Sequence, residues 1–300
     1  MFTRSALLAV PLAATVAAGL AVSASDLRAQ AGARERALYA SVVDRDGRPV
    51  EGLGPGEFVV REDGVRREVL RVTPATEPMA IALLVDNSAA ARDDIRNIRE
   101  GVTTFVEQMH GQADIAIIGL ADRPTIYQDY TRNVELLNRA IGRLFAQPGS
   151  GMQFLEAVVE VSRGLRRREE PRAIVLPILT DGTEFSNLHY QTVLDALNES
   201  GAAMHAVAIG TFTPSMADAE RNRATVLDQA PRRSGGQRMT LLSSMAVPET
   251  LEKLGHELLK QYKVVYARPE SLIQPEAVTV DVTRPGLTAR GTPERRPPGA

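Results

Sequence analysis

From residue 79 onward the chain alternates between short apolar runs and stretches whose apolar residues recur at helical spacing, and this alternation limits the fold more than any other feature. The run 79–85, MAIALLV, contains no polar residue, which is the pattern of a strand covered on both faces. Runs 114–120, 172–179 and 203–209 are also mainly apolar, each with a single charged or polar residue, Asp114, Arg172 and His205. Between them, Ile95, Ile98, Val102, Phe105, Val106 and Met109 lie on one face of a helix predicted over 92–109. Further helices are predicted over 134–144, 154–165, 190–197 and 249–262, with a short edge strand at 125–128. Such alternation predicts an α/β domain over 79–262, a doubly wound, mostly parallel sheet with helices on both faces. Pro177 is a local conflict, because proline has no N–H to give to a ladder.

The flanks read differently. Strands are predicted at 38–43, 57–61 and 65–72, the last two joined by Glu62-Asp63-Gly64, so 37–74 forms a small β segment. A β pair, 264–267 with 277–282, is expected within a C-terminal β segment over 263–290. The Pro- and Arg-rich tail 291–300 is expected to be disordered. At the other end, Arg4 precedes an uncharged apolar stretch, 5–24, that closes on Val22-Ser23-Ala24. Small residues at those positions suit a signal peptidase. Residues 1–24 are therefore expected to be a signal peptide, and the mature chain periplasmic or secreted, with no stable membrane insertion after cleavage.

Composition excludes several chemistries. With no Cys there are no thiol nucleophiles, disulfides or Cys-zinc sites. A net charge of -2, 4% aromatic residues and no Trp give no basis for binding nucleic acid. In open α/β sheets ligands bind beyond the carboxyl ends of the strands. Two Asp residues directly follow apolar strands there: Asp86 in Val85-Asp86-Asn87-Ser88, and Asp181 in Leu179-Thr180-Asp181-Gly182. Two carboxylates with hydroxyls beside them form an oxygen set suited to a hard divalent cation. Helix capping and turn hydrogen bonds account for the same residues without an ion.

This pattern resembles the von Willebrand factor A domain family. The family's metal-ion-dependent adhesion site uses Asp-x-Ser-x-Ser after the first strand, a Thr from a later loop and an Asp after the fourth strand. Asp86, Ser88 and Asp181 match, whereas Ala90 replaces the second Ser and Met152 occupies the Thr position. The resemblance implies a Rossmann-like fold with a degenerate metal site at Asp86, Ser88 and Asp181. Each missing oxygen weakens a site for magnesium, which demands near-octahedral oxygen coordination, and the Met152 thioether is a soft ligand. Weak magnesium binding at most, no other cofactor, and a non-enzymatic module that binds another protein are the expectations that follow. The flanking pieces Val43-Asp44-Arg45-Asp46-Gly47-Arg48-Pro49-Val50, Phe58 with Glu62-Asp63-Gly64, and Arg284-Pro285-Gly286-Leu287 are similar to exported bacterial VWFA-related proteins common in Acidobacteria. The alternative is a magnesium-dependent phosphatase of the haloacid-dehalogenase type, with Asp86 as nucleophile. That family needs a second Asp where Ser88 stands and a basic residue, usually Lys, between the motifs. The three Lys residues here, Lys253, Lys260 and Lys263, all come later.

Overall fold

Side chains of the strand Met79–Val85 (β5) alternate between two hydrophobic cores, and the domain is built outward from that division. The computed structural model describes residues 33–211, 217–269, 275 and 277–293; the apolar stretch 5–24 and the tail from 294 lie outside them. Every residue of β5 is buried, and the strand pairs in parallel along its whole length with β6 (Ala113–Gly119) on one side and β8 (Arg172–Leu179) on the other. Met79, Ile81, Leu83 and Val85 join one core with α1 (Ile95–Gln108), α2 (Val134–Gly142) and α6 (Val247–Leu259). Ala80, Ala82 and Leu84 join the other with α3 (Phe154–Arg168), α4 (Tyr190–Ser200) and α5 (Asp218–Arg233). The period of two along a strand thus becomes a helix layer on each face.

Outward from β8 come β9 (Ala203–Ile209) and β10 (Gln237–Leu241); outward from β6 comes β7 (Thr125–Thr131), the antiparallel member of the six-stranded sheet. All four apolar runs therefore share one sheet, as expected. The order β10-β9-β8-β5-β6-β7 reverses direction between β5 and β8, so the crevice at their carboxyl ends is the switch point of the fold. Pro177 sits in β8, which is a central strand. Its pairing with β5 is unbroken, but the register with β9 skips Leu176 and Pro177. The missing N–H is absorbed as a gap in one ladder.

The flanks form two smaller sheets. One runs β13-β1-β11-β4, from β1 (Ala33–Val43), β4 (Val69–Pro74), β11 (Tyr262–Pro269) and β13 (Thr288–Pro293). The other runs β12-β2-β3, from β2 (Phe58–Glu62), β3 (Val65–Arg67) and β12 (Val278–Val282). They enclose a third core around Leu38, Phe58, Tyr262, Val264 and Tyr266. Several sequence expectations are corrected here. The stretch 65–72 is two strands in two sheets, and the runs 264–267 and 277–282 do not pair with each other. β11 pairs instead with β1 and β4, and β12 with β2, because those registers bury the apolar faces of all of them together. Gly291–Pro293, placed by composition in a disordered tail, pair with Leu38–Ala40. A Cβ at Gly291 would come within 2.5 Å of the Val280 side chain, so the close approach of β13 to β12 needs glycine there. The helix expected over 249–262 ends at Leu259, and Tyr262 opens β11. α5 and β10 escape the periodicity altogether. The buried face of α5 includes Arg223 and Pro231, and β10 is a half-buried edge strand.

Buried polar ties join these layers. Arg172, at the start of β8, donates to Gln261 Oε1 at 2.9 Å and to the Leu258 carbonyl at 2.5 Å, while Gln261 donates to Ser41 of β1 at 3.1 Å. Burial pulls the Arg172 guanidinium down to about 10. Among the described residues no helix is long and apolar enough to cross a membrane.

Glu62 is the buried anion of the flanking core. Its carboxylate accepts from Arg67 at 2.9 Å, Arg268 at 3.0 Å and the Tyr266 hydroxyl at 3.1 Å. Glu62→Ala removes from this buried site the carboxylate that three donors share, leaving the Tyr266 hydroxyl and two guanidinium groups to lose that acceptor at once. The expected loss is about 3–5 kcal/mol of unfolding free energy by urea denaturation. A loss below about 1 kcal/mol, the range of exposed pairs, would show that the Glu62 carboxylate behaves as a surface group.

Candidate functional site

At the end of β5 the chain must turn away from the sheet while its last backbone groups stay buried, and polar side chains satisfy them. Asp86 is fully buried. One carboxylate oxygen accepts the Ser88 N–H at 2.9 Å; the other accepts the Thr180 N–H at 3.0 Å and also the Thr180 hydroxyl. Asp86 therefore ties the end of β5 to the residue that follows β8. Asn87 does the same on the other side: its Oδ1 accepts the N–H groups of Leu120 and Ala121 at 2.9 and 3.0 Å, and its Nδ2 donates to the Tyr127 hydroxyl at 3.1 Å. Its carbonyl accepts the Gln147 N–H at 2.9 Å, which holds the loop before α3 over the strand ends.

The five positions of the adhesion-site pattern come together at this loop cluster. A Cβ on Gly182 would lie 2.9 Å from the Ala90 methyl, 3.2 Å from Ser88 Oγ and 3.5 Å from the Met152 methyl. Met152 bridges Ala121 on one side and Glu184 on the other. Asp86 reaches the cluster through Thr180, and Asp181 is the next residue. The side chain of Asp181 is 43% exposed, and its Oδ1 lies 3.8 Å from Arg223 Nη2. Arg223 also donates to the Gly182 carbonyl.

Those contacts decide what the cluster can hold. Both Asp86 oxygens are committed to protein donors, Ala90 and Met152 present carbon toward Gly182, and Asp181 faces a guanidinium. Ser88 Oγ is the one buried oxygen of the set without a hydrogen-bond partner. One free hydroxyl, a buried carboxylate already accepting protein hydrogen bonds and a carboxylate shared with a guanidinium would leave most of a hard divalent ion's oxygen shell to water. Among the described residues no three His, Asp or Glu side chains gather as a metal-holding group. Asp86 is equally unsuited to attack a phosphoryl group, since a nucleophile must reach its substrate and this carboxylate has no exposed surface.

Sequence reading missed four residues here: Asn87, Thr180, Glu184 and Arg223. The first two were quoted only as neighbours of Asp86 and Asp181. Glu184 is buried, and its Oε1 accepts the Phe154 N–H at 3.1 Å, satisfying the first turn of α3. Arg223 lies on the helix that periodicity did not reveal. The same edge carries an apolar rim. Of seven large hydrophobic side chains exposed among the described residues, Ile126, Phe145, Phe185, Leu242 and Met245 lie at or beyond the carboxyl ends of the strands.

Residues 81–184 match the sequence model of the von Willebrand factor type A domain. No curated protein matches the chain. Among solved structures the chain is similar to proximal thread matrix protein 1 from the mussel byssus, at 15% identity and TM-score 0.49 over 62% of this chain and 49% of that one. Another structure of the mussel protein has a zinc-occupied MIDAS motif. The chain is also similar to a von Willebrand factor type A protein from Catenulispora acidiphila, at 12% identity and TM-score 0.49 over 86% of this chain and 72% of that one. An aerotolerance-related membrane protein from Bacteroides fragilis, carrying multiple mutations to serine, is similar at 12% identity and TM-score 0.46 over 58% and 97%. The chain spans about half the length of the mussel protein.

Burial pushes Glu184 up to about 8; Arg223 pulls against that rise and Glu156 adds to it. Between the ordinary value of 4.5 and about 8, the folded chain keeps a proton that the unfolded chain has released. Stability therefore falls as pH rises through that window, by at most about 1.4 kcal/mol per pH unit. Glu184→Gln keeps an oxygen for the Phe154 N–H and removes the proton. The variant's unfolding free energy should decline less steeply than wild type from about pH 5 to about pH 8, a slope set by linkage. Urea melts across that range check it, and parallel slopes would mean that Glu184 is ionised in the fold.

Proposed function

We propose that this chain, which carries a von Willebrand factor type A domain over 81–184, is an exported docking module that binds another protein at the carboxyl edge of its sheet without a divalent ion. The family is one of protein-interaction and adhesion modules. The observation that carries the reading is the pairing of an apolar rim with a buried polar floor in which both Asp86 carboxylate oxygens already accept protein hydrogen bonds. Ile126, Phe145, Phe185, Leu242 and Met245 stay exposed at this edge, whereas Asp86, Ser88 and Glu184 are buried beneath it. Exposed apolar side chains gathered at one end of a domain mark an interaction surface. A floor whose carboxylates already have protein partners supports contact through packing and hydrogen bonds, with no ion for a partner to complete. Export rests on the uncharged apolar stretch 5–24 after Arg4.

The test is recovery of partners from an envelope extract by the full chain, with and without chelator, beside a Phe185→Ser/Leu242→Ser variant. Both residues are exposed, so the variant should melt with wild type. Proteins retained in chelator by wild type should bind the variant about tenfold or more weakly, the scale of two lost apolar anchors. Partners lost on chelation, or captured equally by the variant, would move the contact to another mode or another face.

A further inference from the structure

A guanidinium rarely lies in a protein interior without partners that compensate its desolvation. The Arg223 side chain is only 5% exposed, and it projects from α5 into the loop that follows β8. Its partners there come from one short stretch, 181–184: the Gly182 carbonyl accepts from Nη1, the Asp181 carboxylate lies 3.8 Å from Nη2, and Glu184 feels its charge. We propose that Arg223 supplies, from within the chain, the positive charge that a divalent ion would otherwise bring to this edge, and that it thereby excludes such an ion.

Three observations converge on this role. Asp181, the exposed carboxylate of the set, is the one that faces the guanidinium. Around Gly182, where hydroxyl ligands would have to point, the neighbours are the Ala90 and Met152 methyl groups and one serine hydroxyl. Asp86 needs no cation, because Ser88 and Thr180 supply its donors. Arginine suits the position better than lysine, since its planar fork can reach a carbonyl and a carboxylate together and it is less strongly hydrated. A second cation at Asp181 would meet a like charge a few ångströms away in a partly buried site, where screening is weak. The built-in charge also holds the 181–184 loop whatever the ion concentration outside. None of this depends on what docks at the edge.

Manganese titration of the full chain, followed by the electron paramagnetic resonance signal of the free ion, tests the proposal. Wild type should leave added manganese free. Ala90→Ser/Met152→Thr restores two oxygens and should bind weakly; adding Arg223→Gln should tighten that binding about tenfold or more by removing the competing charge. Arg223→Lys in the same background keeps the charge and should bind as weakly as with Arg223. Equal affinity with and without Arg223→Gln, including no binding by either, would overturn the proposal. Should the Arg223→Gln chains not fold, thermal melting of wild type still decides. Its Tm should be the same in manganese and in chelator, because an ion that binds only the folded state raises Tm by mass action. A manganese-dependent rise in wild-type Tm would show that the ion enters beside Arg223.

Discussion

A strand buried on both faces has no surface on which to place a polar side chain, and β5 imposes that constraint on everything around it. Its seven residues are all apolar and pair with β6 and β8 along their full length. Alternate side chains enter opposite cores, so helices must cover both faces and each crossover must pass over the sheet. The first polar residues can appear only where the strand ends. They appear there at once, as Asp86-Asn87-Ser88.

Those residues close the strand ends against each other. Asp86 reaches to Thr180 beyond β8 and Asn87 to Leu120 beyond β6, so three neighbouring strands are tied at one edge by side chains from a single turn. The Ser88, Ala121 and Thr180 N–H groups would lose these acceptors without Asp86 and Asn87, and leaving a buried donor without a partner costs about 1–3 kcal/mol. Both oxygens of the Asp86 carboxylate and the Asn87 side-chain oxygen are thus engaged within the fold. What faces outward is the apolar rim together with Asp181, backed by Arg223.

The opposite end of the domain uses another device. Arg172 at the start of β8 reaches Gln261 and Leu258 beside β11, and Gln261 passes the connection to Ser41 of β1. Lys263 pairs with Glu77 at 2.6 Å in the same region. The small sheets are thus joined to the amino edge of the large sheet through buried or half-buried polar contacts. Among the described residues, then, the flanking sheets attach to one edge of the large sheet and not to the other.

Periodicity along the sequence determined the large sheet, because a strand buried on both faces and a helix with one apolar stripe each leave a local signature that neighbours cannot imitate. It also located Asp86 and Asp181 directly after apolar strands, while the resemblance to the von Willebrand factor A family marked Ala90 and Met152 as departures from that family's oxygen set. The strands of the flanks were legible as strands, but not their partners: 264–267 and 277–282 look equally able to pair with each other, and only burial of the third core assigns them to different sheets. α5 was hidden because the residues it buries include a charged one, and a buried Arg223 reads locally as a solvated residue. The fate of the site turned on that same residue. Asp181 and Arg223 are far apart in the chain, and only the crossing of α5 beside β8 brings a guanidinium to the carboxylate, so the charge that occupies this edge was decided by tertiary structure alone.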